Sequence, residues 1–199
     1  MNAVKFCLNI LLLCAPLAQA DSILVFGDSL SAAYRIETEQ GWVQLLADEL
    51  VEHQVVNASV SGETTGGGLS RLPRVLEEIQ PDWVLIELGG NDGLRGYSLQ
   101  SIRSNLGAMV EATISAGARP VLMEVRIPPN YGDRYSIAFQ QAYTELANEY
   151  DIPIIEFILE DIALDPELMQ DDGIHPTAEA QPMITQLVSK KLESLLEES

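Results

Sequence analysis

"VFGDSLSAAY", Val25 to Tyr34, is the stretch on which the reading of this chain turns. With Ile23 and Leu24 ahead of it, Val25 and Phe26 complete a short unbroken apolar run. Such a run reads as a strand buried on both faces. It breaks on Gly27 and then offers Asp28 and Ser29. Open parallel sheets bind ligands beyond the carboxyl ends of their strands, so Ser29 stands where chemistry is expected. Taken alone, Ser29 also reads as the N-cap of the next helix.

Working outward, short apolar runs alternate with segments of helical period. The strands are "SILVFGD", "QVVNASV", "DWVLIELGG", "RPVLMEVRIP" and "IPIIEF". Between them lie "GWVQLLADELVEH", with Trp42, Leu45, Leu46 and Leu50 on one face, and "GGGLSRLPRVLEEIQ", with Leu69, Leu72, Leu76 and Ile79 inward and Pro73 in or near its first turns. "LQSIRSNLGAMVEATISAG" is a helix ended by Gly117, "YSIAFQQAYTELANEY" is another, and "TAEAQPMITQLVSKKLESLL" closes the chain. The alternation predicts an α/β fold: a three-layer α/β/α sandwich around a five-stranded parallel sheet.

"MNAVKFCLNILLLCAPLAQA" precedes all of this. It carries Lys5, an apolar run and Ala18-Gln19-Ala20, the pattern of a secretory signal peptide cleaved after Ala20. The apolar run is shorter than the ~20 residues of a membrane span, and Cys14 follows three leucines rather than the small residues of a lipoprotein signal. Residues 21–199 then form one domain, periplasmic or secreted, with no stable membrane anchor and expected to be a monomer. Cys7 and Cys14 both lie in the leader, so the mature chain has no disulfide or thiol chemistry. Without Lys5, ten cations face thirty acids, a net charge of −20. So negative a surface repels nucleic acid and anionic membrane.

Polar residues follow several strands. Asp28 and Ser29 come after the first, Asn57, Ser59, Ser61 and Gly62 after the second, and Gly89, Gly90, Asn91 and Asp92 after the third. "DDGIHPTAEA", with Asp171, Asp172 and His175, comes after the fifth. Together they supply a hydroxyl, an imidazole, carboxylates, an amide and glycine N–H groups, the parts of an acyl-transfer site. Each has a plainer reading: Gly62 as a turn glycine, Asn91 as a loop residue, Asp172 as a solvated acid. His175 is harder to set aside, because the only other histidine is His53 and histidine is the commonest base near neutral pH. Two histidines far apart make no metal constellation of the soft kind, and no metal or other cofactor is implied.

"GDSLS" from Gly27, Gly62 in "SVSGETT", "GGND" from Gly89 and "DGIHP" from Asp172 stand in the order of the blocks of the GDSL, or SGNH, hydrolases. "GDSLSAAYR", "LGGNDGLRG" and "MQDDGIHP" carry a closer likeness to the bacterial secreted thioesterase I, lysophospholipase and arylesterase group. The resemblance implies the flavodoxin-like SGNH-hydrolase fold. It implies Ser29 as nucleophile, His175 as base and Asp172 rather than Asp171 as the acid orienting it. It also implies an oxyanion hole from the Ser29 and Gly62 N–H groups and the Asn91 amide. The implied substrates are small acyl esters, thioesters or lysophospholipids.

Leu30, Leu94, Tyr97, Ile127, Pro128 and Tyr131 fall on the edge loops as candidates for an acyl groove. Arg35, Arg95, Arg126 and Arg134 fall there too. They would make a rim that tolerates a lysophospholipid phosphate, unless each pairs with a neighbouring acid. Two other functions use the same elements: a carbohydrate O-acetylesterase, and a non-catalytic flavodoxin-like binding module. Only 6% of residues are aromatic, few of them on this edge, which disfavours a sugar platform. "TTGGGLS" lacks the Gly-Lys-Ser/Thr of a phosphate loop.

Overall fold

The computed structural model describes residues 20–197; the leader expected over residues 1–20 lies, Ala20 excepted, outside the described residues. Five strands, β1 (Ser22–Gly27), β2 (Gln54–Asn57), β3 (Trp83–Glu87), β4 (Arg119–Met123) and β5 (Ile154–Ile155), pair in the order β2-β1-β3-β4-β5. Every pairing is parallel. From β1 the chain goes out to β2 and returns across β1 to β3, so the strand order reverses between β1 and β3. A crevice forms at such a reversal, beyond the carboxyl ends of the strands.

Alternation along the strands divides the core in two. Leu24 and Phe26 of β1, with Val84 and Ile86 of β3, pack under α2 (Thr65–Ile79), α4 (Leu99–Ser115) and α5 (Asp133–Tyr150) through Leu72, Leu106, Phe139 and Tyr143. Ile23 and Val25, with Trp83 and Leu85, face α1 (Trp42–Glu49) and α6 (Gln181–Glu197) through Trp42, Leu46, Ile184 and Val188. Burying each such side chain contributes roughly 1.5–3 kcal/mol. Packing on both faces explains why β1 and β3 are continuous apolar runs. Among the described residues no helix is long and apolar enough to cross a membrane.

Several elements depart from the sequence reading. β4 stops at Met123, because its neighbour β5 has only two residues and the ladder ends with Glu124 N–H donating to Ile155 O at 2.8 Å. In α1 Val43 is buried and Leu45 only half so. A short helix, α3 (Gly90–Leu94), begins where the third strand was expected to run on to Gly90. Pro73 is an exposed residue in the interior of α2, not in its first turns. The helix starts earlier than its glycines suggest, because Thr64 caps it, accepting the Gly67 N–H at 3.2 Å.

The start of α2 is tied to α3 by a buried carboxylate. Asp92 accepts the Thr65 N–H at 2.8 Å and the Thr65 hydroxyl at 2.6 Å, and Asn105 donates to that hydroxyl at 3.0 Å. Thr65→Val keeps the shape and removes the hydroxyl, leaving Asp92 and Asn105 each short of a partner. Stability should fall by about 1–3 kcal/mol, read as a lower urea midpoint at unchanged slope. An unchanged midpoint would show that this link contributes nothing.

Candidate active site

Ser29 sits at the first turn after β1, half-buried, where Ala32 N–H closes on Asp28 O at 3.0 Å. The turn is costly. Ala33 and Arg35 have φ of 53° and 57°, a left-handed conformation that costs a non-glycine residue about 1–2 kcal/mol. From the far end of the chain, the loop after β5 brings His175 to it. His175 Nε2 lies 2.8 Å from Ser29 Oγ, and Nδ1 lies 2.8 Å from Asp172 Oδ2. Asp172 Oδ1 accepts the backbone N–H groups of Ile174 and His175, each at 3.0 Å.

Burial acts to raise the Asp172 pKa, but those two N–H groups and the His175 ring outweigh it and hold the carboxyl at about 2. Asp172 is therefore ionised in any ordinary buffer and acts only as an acceptor. That fixes the neutral imidazole with its proton on Nδ1 and its lone pair on Nε2, facing the serine hydroxyl. Asp171, the competing acid, is exposed, and the carboxylate on His175 Nδ1 belongs to Asp172.

The other loops close around the same point. Gly89, between β3 and α3, has φ 123°, and a Cβ there would stand 2.1 Å from the Tyr143 hydroxyl, so only glycine makes this turn. The turn presents Asn91, whose Nδ2 donates to Asp28 Oδ2 at 3.0 Å. One amide hydrogen is thus committed, and the other is left to point elsewhere. After β2, Gly62 has φ 80° with nothing within 4 Å of where a Cβ would stand, so open space lies above its backbone. Its N–H donates to no described residue, while its carbonyl accepts Arg95 Nη2 at 3.4 Å.

Beneath this crevice lie two buried carboxyl groups: Asp28, which the sequence reading named without a role, and Glu87, which it did not single out. Asp28 accepts the Leu30 N–H through Oδ1 at 3.1 Å and Asn91 through Oδ2. Burial raises its pKa to about 6, against the opposing effect of those bonds and of His175. Glu87 Oε2 accepts the Asp28 N–H at 3.2 Å and the Ser31 hydroxyl at 2.8 Å. Burial first, and the Asp28 charge second, push Glu87 well above the usual carboxyl range. Its Oε1 meets no partner among the described residues, so that oxygen would carry its share of charge uncompensated in an ionised Glu87. Glu87 holds its proton, and Asp28 is the member of the pair that ionises.

The edge-loop candidates lie in different settings. Leu30 is half-buried against the α1 side of the core, and its carbonyl accepts the Trp42 indole N–H at 3.1 Å. Ile127 is buried beside Gly93 and Phe139 and offers almost no surface. Leu94 is half-buried, Pro128 exposed, and Tyr97 and Tyr131 are exposed at 48% and 41%. Of the edge arginines, Arg126 is held by Glu124 and Glu160. Arg35 lies 5.1 Å from the centre of the Tyr34 ring. Neither Arg35 nor Arg95 has a carboxylate partner among the described residues.

A half-buried serine hydrogen-bonded to a carboxylate-backed imidazole, in the crevice of a flavodoxin-like sheet, defines the class as an α/β serine-hydrolase fold. Residues 25–181 match the model of the GDSL-like Lipase/Acylhydrolase family, and the chain belongs to that family. It is 48% identical over 180 residues to Thioesterase 1/protease 1/lysophospholipase L1 of Escherichia coli (strain K12), covering 90% of this chain and 86% of that one. It is 47% identical over 191 residues to an arylesterase of Vibrio mimicus, with 94% and 93% covered. Among solved structures, the psychrotrophic esterase EstA from Pseudoalteromonas sp., inhibited by monoethylphosphonate, superimposes with a TM-score of 0.87 at 43% identity, over 89% of this chain and 99% of that one. This protein is an esterase of the GDSL group, a hydrolase of acyl esters.

The Asp28 shift carries a stability consequence. Its carboxyl goes from the ordinary 3.8 to about 6 on folding, so the folded state binds that proton more tightly. The resulting stabilisation is fully present below about pH 4 and is lost as pH rises through about 6. Asp28→Asn is neutral throughout and escapes that loss. Its Tm relative to wild type should climb between about pH 4 and pH 7, measured by calorimetry. A difference that stays flat would show that Asp28 does not titrate in this window.

Proposed function

We propose that the chain cleaves acyl esters and thioesters through Ser29, with His175 as its base and Asp172 as the orienting acid. The observation that carries this reading is the continuous Ser29–His175–Asp172 arrangement, 2.8 Å at each contact. Ser29 attacks the acyl carbonyl as His175 Nε2 takes its proton, since a serine hydroxyl is a poor nucleophile until a base accepts that proton. Asp172 stabilises the imidazolium so formed. The tetrahedral oxyanion receives the Ser29 N–H, the Gly62 N–H and the second hydrogen of the Asn91 amide. His175 then protonates the departing alcohol or thiol, leaving the acyl group on Ser29. Water repeats the sequence in reverse and frees the acid.

The relatives named above, a thioesterase and lysophospholipase and an arylesterase, support both ester and thioester substrates. Leu30, Leu94, Tyr97, Pro128 and Tyr131 would line the acyl group, with Ile127 contributing only as packing behind them. Arg35 and Arg95, without carboxylate partners among the described residues, support a rim open to a lysophospholipid phosphate. The leader pattern supports export, with cleavage after Ala20, which N-terminal sequencing of the secreted chain would test.

Ser29→Ala should lower kcat by on the order of 10⁶ with the fold intact by circular dichroism. More than a few per cent of residual turnover would remove Ser29 as nucleophile. Asn91→Ala should lower kcat by roughly 10²–10³, with a smaller effect on KM, because the amide meets the oxyanion mainly in the transition state.

Asp172→Asn should cost on the order of 10²–10⁴ in kcat and Asp171→Asn little. Equal losses at the two positions would overturn the assignment of Asp172. The substrate class is tested by turnover of p-nitrophenyl esters of rising chain length beside lysophosphatidylcholine. Activity confined to acetyl esters would favour an O-acetylesterase instead.

A further inference from the structure

We propose that Tyr34 and Gln170 form a brace that positions His175 against Ser29, acting through the base rather than on substrate. The inference rests on the roles of Ser29 and His175 given above. The base loop is tied within itself: Gln170 N–H donates to His175 O at 2.8 Å, Gly173 N–H to Gln170 O at 2.9 Å, and Thr177 N–H to Leu168 O at 2.8 Å. Those bonds set the shape of the loop. They do not set its distance from a serine 146 residues away.

The Gln170 side chain supplies that second constraint. Its amide has two hydrogens and uses both: Nε2 donates to Tyr34 O at 2.9 Å and to Pro176 O at 2.9 Å. One group therefore grips the turn that follows Ser29 and the residue that follows His175. The two loops are 136 residues apart along the chain at this bond. The bond to Pro176 lies within the base loop and fixes the amide there, so the bond to Tyr34 O is the one that ties the two loops together.

The residue gripped at its carbonyl also covers the base with its ring. The Tyr34 and His175 ring centres are 4.2 Å apart with the planes inclined at 35°. An aromatic face against the imidazole limits rotation about its own axis and keeps Nδ1 toward Asp172 and Nε2 toward Ser29. The Tyr34 hydroxyl makes no hydrogen bond among the described residues, so the ring is the working part. The backbone supports the same conclusion. Ala33 and Arg35, on either side of Tyr34, are both left-handed at φ 53° and 57°. Strain of this kind persists only where surroundings over-determine it, and it gathers at functional sites. Here its effect is to turn the Tyr34 carbonyl to Gln170 and its ring to His175.

The test is steady-state kinetics on p-nitrophenyl butyrate with Tyr34→Phe, Tyr34→Leu, Gln170→Leu and the Leu/Leu double variant. Small misplacements of a catalytic group cost up to ~10²-fold, so Tyr34→Leu and Gln170→Leu should each lower kcat roughly 10–100-fold. KM should stay within about twofold, and Tyr34→Phe should restore kcat to within about twofold of wild type. The double variant should lose little more than the worse single one, since both changes release the same base. Wild-type kcat in Tyr34→Leu, a loss confined to KM, or equal losses for Phe and Leu at position 34 would each overturn the brace. If Gln170→Leu melts at the assay temperature, the Tyr34 pair decides. Ser29→Ala measured alongside separates the two claims. Activity there removes the nucleophile, whereas an inactive Ser29→Ala with a fully active Tyr34→Leu removes only the brace.

Discussion

The contact between Ser29 Oγ and His175 Nε2, 2.8 Å long and closed across 146 residues, is the one on which the rest of the arrangement depends. A proton moves between them only if two loops from opposite ends of the chain meet with little slack. The sheet makes that meeting possible. Ser29 leaves β1 and Asn91 leaves β3, on the two sides of the strand-order reversal. The buried runs of β1 and β3 form the floor of the site. The loop carrying His175 returns over it and runs into α6, where the Gln181 side chain accepts the Trp42 backbone N–H at 3.0 Å and seats that helix beside α1.

The electrostatics work at two depths. At the surface of the crevice Asp172 is held ionised by backbone N–H groups, and its charge is spent on the imidazole. Below, Asp28 and Glu87 are buried together and cannot both be charged at modest pH, so one keeps its proton. Asp28 is the useful member: it follows β1, adjoins Ser29, and orients the Asn91 amide across from β3. An ionised Asp28 accepts from that amide without competition. A protonated one carries a hydrogen on an oxygen that faces either the Leu30 N–H or the Asn91 amide, both of them donors. The orientation of the Asn91 amide and the ionisation of a buried acid are thus linked through one 3.0 Å bond.

Much of this was legible in the sequence where the signal is local. β1 announces itself as four apolar residues ended by glycine, and His175 stands out because the chain has one other histidine. The layered fold follows from the alternation of runs and helical periods. Contacts made across the chain left no such trace. Asp28 to Asn91 spans 63 residues and Gln170 to Tyr34 spans 136, and neither pair has a spacing that one sequence could reveal. The preference for Asp172 over Asp171 came from family likeness. Its physical reason, two N–H groups turned onto Oδ1, appears only in the folded loop. α3 has five residues, too few to show a helical period, and its glycines mimic a turn. Pro73 misled because its helix begins at a cap further upstream than the glycines allow one to read.

Reaction of the intact protein with a fluorophosphonate, followed by peptide mass mapping, tests the central claim most directly. A serine whose proton is taken by a neighbouring base attacks phosphorus as it attacks an acyl carbonyl, and the adduct marks it covalently. The arrangement of Ser29, His175 and Asp172 predicts one adduct per chain, on the peptide containing Ser29, and its loss in His175→Ala. An adduct on another serine, or unchanged labelling of Ser29 without His175, would contradict it.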